Sequence, residues 1–222
     1  MSYKGIEHRA RGRVSNGVYL ILALLYLSCT NRIIERAAND YFAYETGNWW
    51  RYSNGAVYDP QIIFAEVESL TSVLGTDCYP VTFSGEVHYM AINDRSISEY
   101  KKMIYFFAGE NYTVVEGFMT RIEIPLIEGN TYRDSICDSV NVAGNQIKGQ
   151  YRIEGLVSQY EFDELYGDIY KVVLTSTETM FTVDTVFTAS TSYIEEYYAP
   201  GIGLVRFKNG TGDYHLSEYQ IH

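Results

Sequence analysis

From Trp49 to the C-terminus the chain is a succession of short runs rich in Tyr, Val, Ile, Phe and Thr, set off by Gly, Asn, Asp and Ser. Alternation of apolar and polar side chains with period two suits a strand with one buried face, whereas a helix needs a period near 3.6 to bury a stripe. Trp49 to Tyr52 runs into Ser53-Asn54-Gly55, and Ile62 to Val73 reads as one long strand. Val81 to Phe83 and Val87 to Ile92 flank Ser84-Gly85-Glu86, and Met103 to Phe107 and Tyr112 to Phe118 flank Gly109-Glu110-Asn111. Gln150 to Glu161 and Tyr170 to Thr179 form another pair, and Thr182 to Tyr198 is a long alternating run. Gly203 to Lys208 and Tyr214 to Tyr219 close the chain around Asn209-Gly210-Thr211-Gly212. Many short strands at regular spacing predict an all-β, mainly antiparallel sheet system.

Composition agrees. Of 222 residues, 22 are Tyr and only 2 are Trp. Tyr favours strands and suits half-exposed sheet faces, because it joins an apolar ring to a polar tip. A hydrophobic share of 46% against 20% charged argues against intrinsic disorder. No linker rich in Pro, Gly or Ser divides residues 40–222, which therefore read as one domain.

The N-terminus has a different character. Lys4, Arg9, Arg11 and Arg13 precede an apolar run that is strongest from Val18 to Leu27. A transmembrane helix needs roughly twenty apolar residues, so this run is too short to span. A basic segment followed by a short apolar one has the form of a signal peptide. The run ends in Leu25-Tyr26-Leu27-Ser28-Cys29, which resembles the lipobox of bacterial lipoprotein signal peptides. Tyr26 stands where that pattern usually has Leu. The resemblance implies a signal peptide over residues 1–28 and a mature chain beginning at Cys29, which carries acyl chains such as palmitate. Residues 29–39 would form a tether. Thr30 takes the position at which Asp favours inner-membrane retention, so the resemblance implies the outer membrane of a cell envelope. Several acyl chains on one Cys anchor a protein stably, where a single chain binds only marginally.

Removing residues 1–28 leaves 13 basic and 27 acidic side chains, a formal charge of −14 against −11 for the whole chain. Such a body is repelled by phosphate backbones and by anionic lipid surfaces, so nucleic-acid binding is excluded as an expectation. With Cys29 assigned to lipid, Cys78 and Cys137 remain. An exported protein permits a disulfide between them, and two buried free thiols are the alternative.

Three segments occur in order: Asp40-Tyr41-Phe42 with Gly47-Asn48-Trp49, then Ile124-Pro125-Leu126 with Gly129-Asn130-Thr131-Tyr132, then Tyr197-Tyr198-Ala199-Pro200-Gly201-Ile202-Gly203-Leu204-Val205. They resemble a group of lipoproteins without an assigned activity, frequent in Bacteroidetes, across about residues 40–220. Ala43-Tyr44 replaces the usual Pro-Leu, and Tyr132 the usual Trp. The resemblance implies a curved antiparallel sheet or half-barrel like that of the lipoprotein carriers LolA and LolB. Fold analogy does not transfer a function. Read from the residues alone, the two Gly-Asn segments are one turn used twice, and Pro200-Gly201 predicts a type II turn before Leu204.

Catalytic and metal motifs are absent. His88, His215 and His222 do not sit at metal-ligand spacing, and no Cys pair has the C-x-x-C form. No G-x-S-x-G elbow, phosphate loop or dinucleotide fingerprint occurs, so neither a catalytic residue nor a cofactor is expected. Glu128, Asp134 and Asp138 read as a solvated acidic loop without calcium-loop spacing. Glu195 and Glu196 are strand neighbours on opposite faces and cannot share one site. Trp49, Trp50, Tyr52, Tyr197 and Tyr198 are the candidates for ligand contact, with core packing as the alternative. The expectation is a non-catalytic, lipid-anchored envelope protein whose concave sheet binds an apolar ligand or a partner protein. A surface adhesin or glycan-binding module ranks second. A hydrolase ranks third, and would need His88 or His215 to meet a carboxylate and a nucleophile in a cleft.

Overall fold

The computed structural model describes residues 41–222. The signal segment, Cys29 and the tether lie outside the described residues. The strands are β1 (Trp49–Ser53), β2 (Ile62–Val67), β3 (Thr71–Val73), β4 (Thr76–Phe83), β5 (Glu86–Asn93), β6 (Ser96–Phe107) and β7 (Glu110–Glu123), followed by β8 (Thr131–Val142), β9 (Asn145–Asp163), β10 (Gly167–Phe181), β11 (Val186–Ala199), β12 (Gly203–Asn209) and β13 (Gly212–Gln220). They form one antiparallel sheet in the order β7-β6-β5-β4-β2-β1-β13-β12-β11-β10-β9-β8, with β3 to one side on β4. The all-β antiparallel architecture is the one the sequence predicts, and its curvature continues into a nearly closed barrel.

Two six-strand meanders build the wall, β1 to β7 (with β3 aside) and β8 to β13. They join at one junction by a ladder, where β1 pairs with β13. At the other junction β7 and β8 share no ladder. Side chains bridge it instead: Thr120 N–H donates to Asp134 Oδ2 (2.7 Å) and Tyr132 O–H donates to the Arg121 carbonyl (2.7 Å). Tyr132 lies over Gly155, its cross-strand partner on β9. A Cβ on Gly155 would meet the Tyr132 ring at 2.0 Å, so only glycine leaves room for the ring.

Each meander starts from the same turn. Gly47 N–H donates to the Val67 carbonyl (2.9 Å), Val67 N–H to Asn48 (2.9 Å) and Asn48 N–H to Glu45 (3.0 Å). In the second meander Gly129 N–H donates to Val157 (2.8 Å), Val157 N–H to Asn130 (2.9 Å) and Asn130 N–H to Ile127 (3.0 Å). Both glycines sit at φ +89°, a conformation L side chains rarely adopt. Further along, Gly201 at φ +77° and a bond from Ile202 N–H to the Ala199 carbonyl (3.1 Å) give the type II turn expected at Pro200-Gly201.

Two sequence expectations are corrected. The run from Ile62 to Val73 is not one strand: Val67 is held by the Gly-Asn turn, Glu68 N–H turns to the Pro80 carbonyl (2.8 Å), and β3 then forms a separate hairpin with β4. Asp134 and Asp138 do not lie in a loop but in β8, because Tyr132, Asp134 and Ile136 keep period two through the acidic stretch.

The interior is aromatic towards one end. Phe207 packs on Tyr52 (5.3 Å between ring centroids), Phe83 (5.3 Å) and Tyr214 (4.9 Å). Residues 41–44 cover the end where the Gly-Asn turns lie, with Phe42 against Tyr198 (4.6 Å) and Tyr44 against Trp50 (6.4 Å). Trp50 and Tyr52 satisfy their polar tips on the carbonyls of Ile202 (2.7 Å) and Leu204 (2.9 Å). Burying each such ring contributes about 1.5–3 kcal/mol.

Candidate functional site

Charged side chains occupy the interior where an all-apolar core would serve stability better. Glu99 and Lys101 are two apart on β6 and so share its inner face, as do Glu196 and Tyr198 on β11. Arg121 comes from β7 and His88 from β5. Glu99 and Glu196 are almost wholly buried, at 2% and 3% exposure. Glu99 Oε1 accepts from His88 Nδ1 (2.9 Å) and from Lys101 Nζ (2.6 Å), and its Oε2 accepts from Arg121 (2.8 Å). The second arm of the Arg121 guanidinium binds Glu196 Oε1, and Tyr198 O–H donates to Glu196 Oε2 (2.6 Å). The cluster thus runs His88–Glu99–Arg121–Glu196–Tyr198, with Lys101 on its flank.

The electrostatics follow from burial and pairing. Burial alone pushes the Glu99 carboxyl up, but the Arg121 guanidinium, with hydrogen bonds from His88 and Lys101, outweighs it and holds Glu99 well below the usual carboxylate range. Arg121 is pushed down by burial and more strongly up by Glu196 and Glu99, so it stays charged. Burial and the Glu196 charge push the Tyr198 hydroxyl well above its ordinary value, which keeps it a donor. A carboxylate only accepts, so His88 holds its proton on Nδ1 and leaves Nε2 for another partner. Lys101 spends one ammonium proton on Glu99 and keeps others for the cavities beside it.

Two cavities meet at this cluster. One of about 320 Å³ is lined by Phe83, Met90, Leu204 and Phe207 together with His88, Glu99, Lys101 and Arg121. The second, about 720 Å³, shares Glu99, Lys101 and Arg121 and is also lined by Ser176, Thr191 and the β12–β13 turn. Fixed charges and free donors beside an apolar wall suit binding and orientation. His88 meets a carboxylate, but no Ser, Thr or Cys is hydrogen-bonded to it among the described residues.

The aromatic candidates divide between the two faces of the sheet. Trp50, Tyr52 and Tyr198 point inward and are buried, and Tyr198 lines the smaller cavity. Trp49 lies on the outer face, stacked on Phe64 (5.6 Å). Tyr197 points away from its neighbour Tyr198 but is buried too, at 7% exposure, under the Arg206 guanidinium at 4.7 Å. Cys78 and Cys137 form no bridge: Cys78 is buried on β4 and Cys137 is exposed on β8. Glu195 and Glu196 separate as strand neighbours do, Glu195 pairing with Lys171 at 3.0 Å on the outside. His215 lies apart from the cluster, 3.4 Å from Asp213. Sequence reasoning passed over Glu99, Lys101 and Arg121. The signal was there in Ile97-Ser98-Glu99-Tyr100-Lys101-Lys102-Met103, where charges take the inward positions between two buried apolar residues.

No known family's sequence profile matches the chain, and no curated protein matches it. Among solved structures it is similar to a candidate lipoprotein from Parabacteroides distasonis, at 14% identity and a TM-score of 0.38 over 81% of this chain and 97% of that one. It is also similar to a candidate exported protein with a YmcC-like fold from Bacteroides fragilis, at 14% identity and a TM-score of 0.39 over 83% of this chain and 100% of that one.

Proposed function

We propose that this chain is an exported, lipid-anchored envelope protein, held at the outer membrane through Cys29, that binds a small amphipathic molecule inside its barrel without acting on it chemically. The smaller cavity carries this reading, because apolar Phe83, Met90 and Phe207 line it together with Lys101 and His88, which keep polar atoms for a further partner. Buried ion pairs contribute little to stability compared with well-packed apolar residues, so a charged cluster kept in the interior favours a role in recognition. The ligand's apolar body lies against Phe83, Met90 and Phe207, and its acceptor-bearing head meets Lys101. The basic and apolar segments before Cys29 support export and anchoring.

Native mass spectrometry of residues 30–222, incubated with an organic extract of a bacterial envelope, purified and then extracted with organic solvent, tests this. The expected result is a mass excess of one small molecule, lost on extraction and absent from Lys101→Glu. An apo mass in both proteins contradicts it.

A further inference from the structure

β11 outruns its neighbour. β10 pairs with it from Val186 to Tyr198, but β12 pairs with it only from Glu195 to Ala199. Over residues 186–194 one side of β11 therefore carries no ladder among the described residues, and residues 186–193 are all exposed. Such an edge presents a row of N–H and C=O groups that another strand can satisfy. Proteins ordinarily blunt a free edge with charge, proline, a bulge or a cover. The segment Val186-Phe187-Thr188-Ala189-Ser190-Thr191-Ser192-Tyr193-Ile194 holds no Lys, Arg, Asp, Glu or Pro. By contrast β6, which also runs on past its last residue paired with β5 at Glu99, carries the exposed Lys102.

Apolar surface continues from the β11 edge. The Phe187 ring lies 5.4 Å from Tyr105, which stacks on Phe107 at 6.2 Å, and Phe106 beside them is 67% exposed. A partner selected by charge would need a charged edge, and this one selects a neutral strand. The chain's formal charge of −11 repels a second copy almost everywhere, but at residues 186–194 self-pairing brings no like charges together. Antiparallel pairing about a two-fold axis at Ser190 would set Val186 against Ile194, Phe187 against Tyr193 and Thr188 against Ser192, all of them favourable cross-strand partners. We propose that two copies of this chain associate through the 186–194 edge of β11, extending one sheet across a two-fold axis.

Sedimentation velocity of the full chain in detergent, across the micromolar range, tests the proposal. The expected result is a dimer for the native chain and half that protein mass for the Ala189→Lys/Thr191→Lys variant, with the β-type circular dichroism of both unchanged. A native chain that stays monomeric overturns the proposal, and so does a dimer that persists in the variant. If the double variant fails to fold, Ser190→Cys in a Cys137→Ser background gives a second readout. Mild oxidation is expected to yield an interchain disulfide, and a failure to cross-link overturns the proposal equally.

Discussion

The Arg121 guanidinium on β7 binds Glu196 on β11, 75 residues away in sequence, and with its other arm binds Glu99 on β6. One side chain thereby bridges two buried carboxylates from strands far apart in the sheet order, with Lys101 supplying a second positive charge at Glu99. Arg121→Met leaves both without their shared partner, which costs about 3–5 kcal/mol. Replacing the three together by Arg121→Met, Glu99→Leu and Glu196→Leu is expected to cost less, because no buried carboxylate is then stranded and the remaining loss is that of the partners of Lys101, His88 and Tyr198. Urea unfolding of the single and triple variants measures both, and a triple variant no more stable than the single one would count against the ion-pair assignment.

Acid should weaken the fold through Glu99. Its carboxyl lies below the usual value of 4.5 in the folded chain, so the unfolded state takes up the proton first as pH falls. The stabilisation is fully present above about pH 4.5 and is lost progressively below it, towards the depressed folded value. Glu99→Gln is expected to be less stable at neutral pH and to show a shallower loss below pH 4.5. Parallel slopes for the two proteins on the acid side would remove Glu99 from this role.

The β7–β8 junction depends on Tyr132 lying over Gly155. Gly155→Ala forces the ring off its strand and weakens its bond to the Arg121 carbonyl, at a cost of about 1–3 kcal/mol. The cost should largely vanish in a Tyr132→Ala background, so the double-mutant cycle should show strong coupling. Amide exchange in β8 should also speed up in the single variant. Additive effects would mean that the ring does not hold the junction.

Gly47 and Gly129 occupy the same turn at the same φ of +89°. Alanine at either position meets the same left-handed penalty, about 1–2 kcal/mol. Neither would meet a close backbone contact, the nearest atom to a Cβ at Gly47 being 3.7 Å away on His222. Thermal unfolding of the two variants should therefore show similar destabilisation. A cost confined to one of them would show that the two meanders do not begin alike.

Much of the fold was legible because hairpins announce themselves locally. Ser84-Gly85 closes β4 on β5 and Ala108-Gly109 closes β6 on β7, and the Gly-Asn echo marks the start of each meander. Closure was not legible, since β1 meets β13 from the far end of the chain and no local signal encodes that pairing. The acid-rich β8 was obscured because Asp134 and Asp138 lower strand propensity, while Asp134 serves as the acceptor that joins β8 to β7. The interior site was hidden for a related reason. Register shifts opposite Ile97/Ser98 and Met103/Ile104 leave Arg121 and Val114 of β7 without a partner on β6 and break the period of β7, and Arg121 and Glu196 lie 22 and 97 residues beyond Glu99. Among the aromatic candidates, composition alone could not separate the buried Trp50, Tyr52, Tyr197 and Tyr198 from the half-buried Trp49.

The most direct test of the interior site is a fluorescence titration of residues 30–222 and of Lys101→Met with anilinonaphthalene sulfonate, an apolar body carrying an anionic head. The native protein is expected to show saturable binding at one site, weakened at least about tenfold in Lys101→Met through loss of a charge-assisted hydrogen bond. Non-saturable binding, or equal affinity in the two proteins, would contradict a ligand site at Lys101.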